Sequence, residues 1–136
     1  AAGDRDAGLF GGRRIAGDLE TSDLGWEIHP KGLEDLLVRV SREYTRVPLY
    51  VTETGMSETD DARRVKFYDD HLRAVANAQA QGADVRGFFA WSLLDNYEWA
   101  EGYTSRFGIV HVDYATQVRT PKGSYRAFQG MLHNTR

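Results

Sequence analysis

Two short apolar segments constrain the fold of this chain more than any other feature. They have the sequences VPLYVT at 47–52 and VRGFFAW at 85–91, and a helical pattern of apolar residues separates them. A strand–helix–strand order predicts two parallel strands in one sheet, joined by a right-handed crossover. Because a two-stranded parallel sheet has two open edges, it has little stability by itself. The sequence therefore predicts a piece of a larger α/β fold.

One helix is predicted before the first strand in the chain and another after it. From Leu33 to Tyr44, apolar residues recur at the spacing of one helix face, and Pro30 lies near the first turn. A second helix is predicted from about Asp60 to Gln81, with Thr59 or Asp60 as its N-terminal cap and Gly82 just past its end. The apolar stripe predicted for this second helix consists of Val65, Tyr68, Leu72, Val75 and Gln79.

The segment after the second strand has mixed character. Residues 92–106 predict a polar and aromatic loop, and residues 107–114 alternate in a way that indicates an extended excursion or a hairpin arm. A last helix is predicted to begin with Thr120 as its cap and Pro121 at its first position. We find no internal repeat and no second domain.

The chain of 136 residues is interpreted as one partial domain over 1–136. Residues 1–25 hold six of the 14 glycines and predict a loop-like lead-in, whereas residues 26–136 form the helical and strand units. The chain does not begin with Met, which indicates a cut point, and its start has no signal-peptide pattern. The sequence leaves the compartment open and favours the cytoplasm over secretion.

Composition excludes several classes of function. There are no cysteines, so thiolate metal sites and cysteine nucleophiles are absent. The net charge of −3 argues against a nucleic-acid partner, and the lack of an apolar run of roughly 18 residues argues against a membrane partner. The four histidines lack metal-ligand spacing, and no phosphate or dinucleotide motif is present. We expect neither a metal nor another cofactor.

Glu53 is the first candidate for chemistry. It follows the first apolar strand directly, and ligands bind at the carboxyl ends of parallel strands in α/β proteins. Gly55 then allows the chain to turn sharply. A single Glu in this position can equally cap a turn or pair with an arginine, so both interpretations stay open at this point.

The second candidate is the segment WSLLDNYEW at 91–99, which follows the second apolar strand. It combines flat aromatic faces from Trp91, Tyr97 and Trp99 with acceptors from Asp95, Asn96 and Glu98. Sugars offer apolar C–H faces and rings of hydroxyls, so this combination suits a carbohydrate. Alternatively, the two tryptophans belong to the core and Glu98 lies at the surface.

Three segments together resemble glycoside hydrolase family 1, the retaining β-glucosidases. VPLYVTETG at 47–55 is similar to the strand that carries the nucleophile, and GFFAWSLLDNYEWAEGYTSRFGIVHVDY at 87–114 is similar to the last barrel strand and its sugar-binding loop. LGWEIHPKGLEDLL at 24–37 resembles the segment that leads into the sixth barrel helix. The resemblance implies an α/β fold that forms the C-terminal part of a (β/α)8 TIM barrel, about its last two strands with their helices.

The resemblance also implies roles for individual residues. Glu53 matches the catalytic nucleophile, and Trp91 matches the platform under the sugar ring that is transferred, the glycone. Glu98 resembles the carboxylate that binds two outer hydroxyls of that sugar. Trp99 matches a further glycone contact, and Phe107 matches an aromatic wall of the pocket.

The sequence departs from the family pattern in two places. Thr54 stands where the family usually has Asn after the nucleophile, which can alter the hydrogen bonding of the carboxylate. The N-E-P segment with the general acid/base glutamate is absent, and a complete barrel needs about 250 residues. The resemblance therefore implies a partner, the N-terminal remainder of the barrel that carries the acid/base.

The expected function is hydrolysis of β-glycosidic bonds by retaining double displacement, in which this chain supplies the nucleophile and the glycone-binding loop. The expected substrate is a β-glucoside or a short β-linked oligosaccharide. Two alternatives remain at this stage: a non-catalytic carbohydrate-binding module, and an inactive barrel fragment that lacks the acid/base.

Overall fold

The computed structural model describes residues 17–44 and 46–133 of the chain. The helices are α1 (Pro30–Glu43), α2 (Asp61–Ala80) and α3 (Gly123–His133), and Trp99–Glu101 form one short 3₁₀ turn. The strands are β1 (Leu49–Thr54), β2 (Val85–Ala90), β3 (Val110–Val112) and β4 (Arg119–Pro121). Most of the predicted lead-in lies outside the described residues, and 17–25 contain only an isolated bridge of Thr21 with Glu27.

Strands β1 and β2 form a parallel pair with α2 as the crossover, which confirms the predicted strand–helix–strand unit. Val51 pairs with Phe88, and Thr54 pairs with Ala90. Because the strands run in the same direction, their carboxyl ends lie side by side. The amide of Trp91 donates to the carbonyl of Thr54 at 2.8 Å, which extends the pairing to the point where both strands end.

Only one face of this sheet is covered within the described residues. Val51 and Val85 face the helices and pack with Leu37 of α1 and with Val75 and Ala78 of α2. On the opposite face, Tyr50 and Phe89 remain 55% and 58% exposed. Both faces of the strands are apolar, so the sequence predicts that other elements pack on both. Among the described residues, no helix or strand packs on the second face.

The start of α3 corrects the prediction. Thr120 and Pro121 do not begin a helix; they belong to β4, which pairs antiparallel with β3 and confirms the predicted hairpin arm. Helix α3 begins at Gly123, and Asp61 of α2 accepts hydrogen bonds from the amide and the hydroxyl of Ser124, both at 2.7 Å. A carboxylate from another helix therefore takes the place of the predicted local cap.

The buried stripe of α2 also differs in part from the prediction. Tyr68 and Val75 are buried as predicted, whereas Val65 and Leu72 are half-buried and Gln79 is exposed. The buried face lies further round the helix because α2 packs against both α1 and α3 as well as the sheet. It consists of Arg64, Phe67, Tyr68, His71, Ala74, Val75 and Ala78.

The other predicted helix features are present. Pro30 lies in the first turn of α1, and the Asp60 side chain accepts from the amide of Ala62 at 3.0 Å. On α1, Leu37 is buried, while Leu36 and Tyr44 of the predicted apolar face are exposed. No helix in 17–44 or 46–133 combines the length and the apolar character needed to cross a bilayer.

Candidate active site

A cleft of about 380 Å³ opens where β1 and β2 end. Of the five residues to which the family resemblance gives roles, four line it: Glu53, Trp91, Glu98 and Phe107. The fifth, Trp99, is not part of this lining, and its side chain is 81% exposed. The structure thus brings together residues from the two strand ends and from the loop that follows β2.

Glu53 is the penultimate residue of strand β1, just before the chain enters the loop, and it is exposed at the cleft. No hydrogen bond or ion pair from the part of the chain that the structure describes engages its carboxylate. The alternative interpretations, a turn cap or an arginine partner, require such a contact. The Thr54 hydroxyl, for its part, donates to the Glu53 backbone carbonyl at 2.8 Å and not to the carboxylate.

Trp91 is held at its backbone. The Tyr68 hydroxyl donates to the Trp91 carbonyl at 3.0 Å, and the peptide bond between Trp91 and Ser92 is cis. Burial raises the pKa of Tyr68 to about 12, so the hydroxyl keeps its proton and remains a donor at any ordinary pH. The indole of Trp91 is left partly exposed at the cleft.

Glu98 lies at the tip of a loop whose base is paired. Residues 92–95 run beside 107–110: the Ile109 amide donates to the Ser92 carbonyl at 2.9 Å, and the Asp95 amide donates to the Val110 carbonyl at 3.1 Å. At the tip, the Glu98 amide donates to Gly102 at 2.6 Å and closes a tight turn. We call residues 96–106, which this base closes, the sugar loop, after the family's sugar-binding loop that this sequence resembles.

The loop after β1 is tied to the sugar loop by a buried arginine. The guanidinium of Arg64 donates to the carbonyls of Glu58 and Arg106, the second at 2.8 Å. The amide of Glu58 also donates to the Arg106 carbonyl at 3.3 Å. One buried cation therefore holds together the loop that follows the strand of Glu53 and the loop that carries Glu98.

Two acceptors predicted for the cleft do not face it. Asp95 is buried beneath the sugar loop, and Asn96 donates to the Ser92 hydroxyl at 2.8 Å. Both bond within the protein instead of lining the cleft. Sequence position alone suggested a contact with ligand because both residues follow the buried strand.

Sequence reasoning missed three aromatic or titratable residues of the cleft. Trp26 packs on Phe107 with ring centroids 5.9 Å apart, and His29 and His71 also line the cleft. Burial lowers the pKa of His71, although its hydrogen bond to the Phe67 carbonyl acts in the opposite direction. The available signal for Trp26 was its place in LGWEIHPKGLEDLL at 24–37, one of the three segments that resemble the family.

These features define a class of protein. A parallel strand–helix–strand unit with carboxylates and aromatic faces at the carboxyl ends of its strands is the arrangement found at the active face of α/β-barrel enzymes. The comparisons with known proteins then give the family. The sequence model of glycosyl hydrolase family 1 matches residues 10–136, so the chain belongs to this family.

Solved structures of similar proteins agree in fold. The psychrophilic β-glucosidase BglU of Micrococcus antarcticus is 49% identical with a TM-score of 0.85, and the match covers 89% of this chain and 28% of that one. The β-glucosidase of Thermotoga maritima in complex with deoxynojirimycin is 39% identical with a TM-score of 0.85, covering 88% of this chain and 29% of that one. These neighbours are TIM barrels, and the present chain is an α/β piece of one that is not closed.

Curated relatives give the same family. Beta-glucosidase 47 of Arabidopsis thaliana is 46% identical over 113 residues, which make up 79% of this chain and 21% of that protein. The β-glucosidase of Agrobacterium sp. is 42% identical over 122 residues, which make up 84% of this chain and 26% of that protein. The chain spans about a quarter of the length of these relatives. The predicted family and fold class are therefore confirmed.

Proposed function

We propose that this chain supplies the nucleophile and the glycone-binding loop of a retaining β-glucosidase, in a barrel that further residues complete. The observation that carries the proposal is the cleft shared by Glu53, Trp91 and Glu98. Membership of the family and the names of the relatives support the reaction class. The substrate is a β-glucoside or a short β-linked oligosaccharide.

In the proposed reaction, Glu53 attacks the anomeric carbon and the bond to the leaving oxygen breaks, which gives a covalent glycosyl-enzyme. A second carboxyl group about 5–5.5 Å away protonates the leaving oxygen and then activates a water molecule that releases the sugar. Nothing in this chain matches the family's acid/base segment. The N-terminal remainder of the barrel supplies that group.

The other cleft residues bind the glycone. The exposed indole of Trp91 provides a flat face for the C–H groups of the ring, and Glu98 accepts from two outer hydroxyls. Phe107 is buried against Trp26 and forms a rigid wall. Trp99 stands outside this lining, so its proposed contact with the glycone depends on the rest of the barrel.

The experiment uses a hybrid barrel, in which this chain replaces the matching segment of the Micrococcus antarcticus β-glucosidase. We expect the hybrid to hydrolyse an aryl β-glucoside and Glu53→Gly to abolish that activity without loss of folding. Azide should partly restore turnover of an activated aryl glucoside and give the α-azide, because it enters from the vacated nucleophile face. The matched control, Glu101→Ala, removes an exposed carboxylate of the sugar loop and should leave the rate unchanged.

Other outcomes overturn the assignment of Glu53. A β-azide product would make Glu53 the acid/base, and full activity in Glu53→Gly would remove it from catalysis. A 2-fluoro glucoside that labels any carboxylate other than Glu53 would overturn it as well.

A non-catalytic carbohydrate-binding role is the second candidate. One observation favours it. No segment of this chain matches the family's acid/base motif, whereas Trp91 and Glu98 line the cleft and can bind a sugar without that group. A folded hybrid barrel that binds deoxynojirimycin and fails to turn over any aryl glycoside would support binding over hydrolysis.

A further inference from the structure

The base of the sugar loop is organised around one buried carboxylate. The Asp95 side chain, which directly precedes the sugar loop, is 0% exposed and accepts hydrogen bonds from four residues. It accepts from the amides of Gly108 at 3.0 Å and Val112 at 3.3 Å. It also accepts from Arg106 at 3.1 Å and from Lys122 at 3.0 Å.

These partners come from the far arm of the loop and from beyond it. Gly108 directly follows Phe107, the aromatic wall of the cleft, while Asp95 lies three residues before Glu98. Lys122 precedes α3, and its ammonium group also donates to the Gly108 carbonyl at 2.6 Å. One carboxylate therefore joins the arm that leads to Glu98 and the arm that begins at Phe107.

We propose that Asp95 is a positioning residue, which fixes the base of the sugar loop and thereby sets where Glu98 and Phe107 stand relative to Glu53. This inference rests on the proposed function. Asp95 does not line the cleft, so it acts through the two residues that do. Its charge is needed because two cations, Arg106 and Lys122, converge on it in a partly buried place.

Asparagine is the sharpest substitution because it preserves shape while removing charge and one acceptor. Asp95→Asn should loosen the two arms, since one oxygen is lost and the two cations remain close together. Asp113→Asn is the matched control. Asp113 lies on the same arm, and its carboxylate accepts from the amides of Ala115 and Thr116 in the turn before β4.

The test measures kcat/KM for an aryl β-glucoside in the hybrid barrel. We expect Asp95→Asn to lower kcat/KM by roughly tenfold or more and Asp113→Asn to change it by less than about twofold. If Asp95→Asn only destabilised the protein, its effect on kcat/KM would add to that of Glu98→Gln. If Asp95 acts by positioning Glu98, the two effects would not add. Adding Asp95→Asn to Glu98→Gln should therefore cost no more than about threefold.

A second variant keeps the proposal testable when Asp95→Asn fails to fold. Lys122→Met leaves Asp95 with its contacts to Arg106 and to the His111 ring, so it should cause a smaller loss, again without adding to Glu98→Gln. Full additivity in either double variant, or wild-type kcat/KM in Asp95→Asn, would overturn the positioning role while the proposed function stands.

Hydrogen exchange separates the two proposals. If the hybrid barrel without any substitution fails to hydrolyse the glucoside, the proposed function is wrong, but the positioning role of Asp95 is still tested by hydrogen exchange. Amide exchange over 96–109 then decides on Asp95: faster exchange in Asp95→Asn and not in Asp113→Asn supports the inference, and equal exchange overturns it.

Discussion

Gly55 lies directly against the carbonyl group of Trp91. A Cβ atom built on Gly55 would be 2.7 Å from the carbonyl carbon of Trp91 and still closer to its oxygen. The loop that follows β1 therefore passes the end of β2 at backbone contact distance. Since Glu53 lies two residues before Gly55, this approach and the hydrogen bond from the Trp91 amide to the Thr54 carbonyl keep the backbones of Glu53 and Trp91 close together.

Gly55→Ala should impair both folding and activity. The obstacle is backbone and not a flexible side chain, so the strand ends must separate, which costs about 1–3 kcal/mol by analogy with overpacked sites. Thermal unfolding and kcat/KM of the hybrid barrel measure the two effects. The control is Gly130→Ala in α3, where a Cβ meets nothing within 4 Å and helix propensity favours alanine by about 1 kcal/mol. Equal behaviour of the two variants would show that the close approach has no consequence.

The isolated chain of 136 residues should be poorly stable. Tyr50 and Phe89 expose large apolar surfaces on the uncovered face of the β1–β2 pair, and the outer edges of this two-stranded sheet have no partner strand among the described residues. We expect self-association on size-exclusion chromatography and little protection from hydrogen exchange in β1 and β2. A monomer with sharp, cooperative unfolding would contradict this expectation.

The sequence predicts well those elements whose formation depends on residues close together in the chain. Helix periodicity and short apolar runs indicate α1, α2 and the two parallel strands, and the strand ends indicate where Glu53 and Trp91 lie. The start of α3 is different, because Asp61 and Ser124 are 63 positions apart and no local pattern shows that they meet. The local Thr120–Pro121 signal was therefore misleading.

The role of Asp95 shows the same limit within the site. In the sequence, Asp95 is one polar residue among several in an aromatic loop. Its position is equally consistent with a contact to ligand and with burial in the protein. Its burial depends on Arg106 and Lys122, which are 11 and 27 positions away. Ion pairs between residues this far apart in the chain arise only from the fold, because no periodic sequence pattern predicts them.

Acid should weaken the fold through His71. Burial lowers its pKa below the usual value of 6.5, so below about pH 6.5 the unfolded chain takes up a proton that the folded chain resists. Stability is thus lost as the pH falls through this window, by at most about 1.4 kcal/mol per pH unit. The melting temperature of the hybrid barrel between about pH 7.5 and 5.5 should fall less in His71→Gln than in the unaltered protein. His133→Gln, at the exposed end of α3, is the control, and an identical fall in His71→Gln would exclude His71 as a cause.

Glu98 provides the decisive test of glycone binding. Its carboxylate has no hydrogen-bond or ion-pair partner within the described residues, so its acceptors are available to sugar hydroxyls. Loss of a charged hydrogen bond costs about 1.5–3 kcal/mol, so Glu98→Ala should lower kcat/KM for an aryl β-glucoside by roughly tenfold or more. The loss should be smaller for an aryl β-xyloside, which lacks the outer hydroxymethyl group and so has one hydroxyl fewer to bind. Glu101→Ala, three residues along the same loop, should show no such dependence on the sugar. A Glu98→Ala variant that hydrolyses both substrates at the unaltered rate would place Glu98 outside the glycone site, whatever the outcome for Glu53.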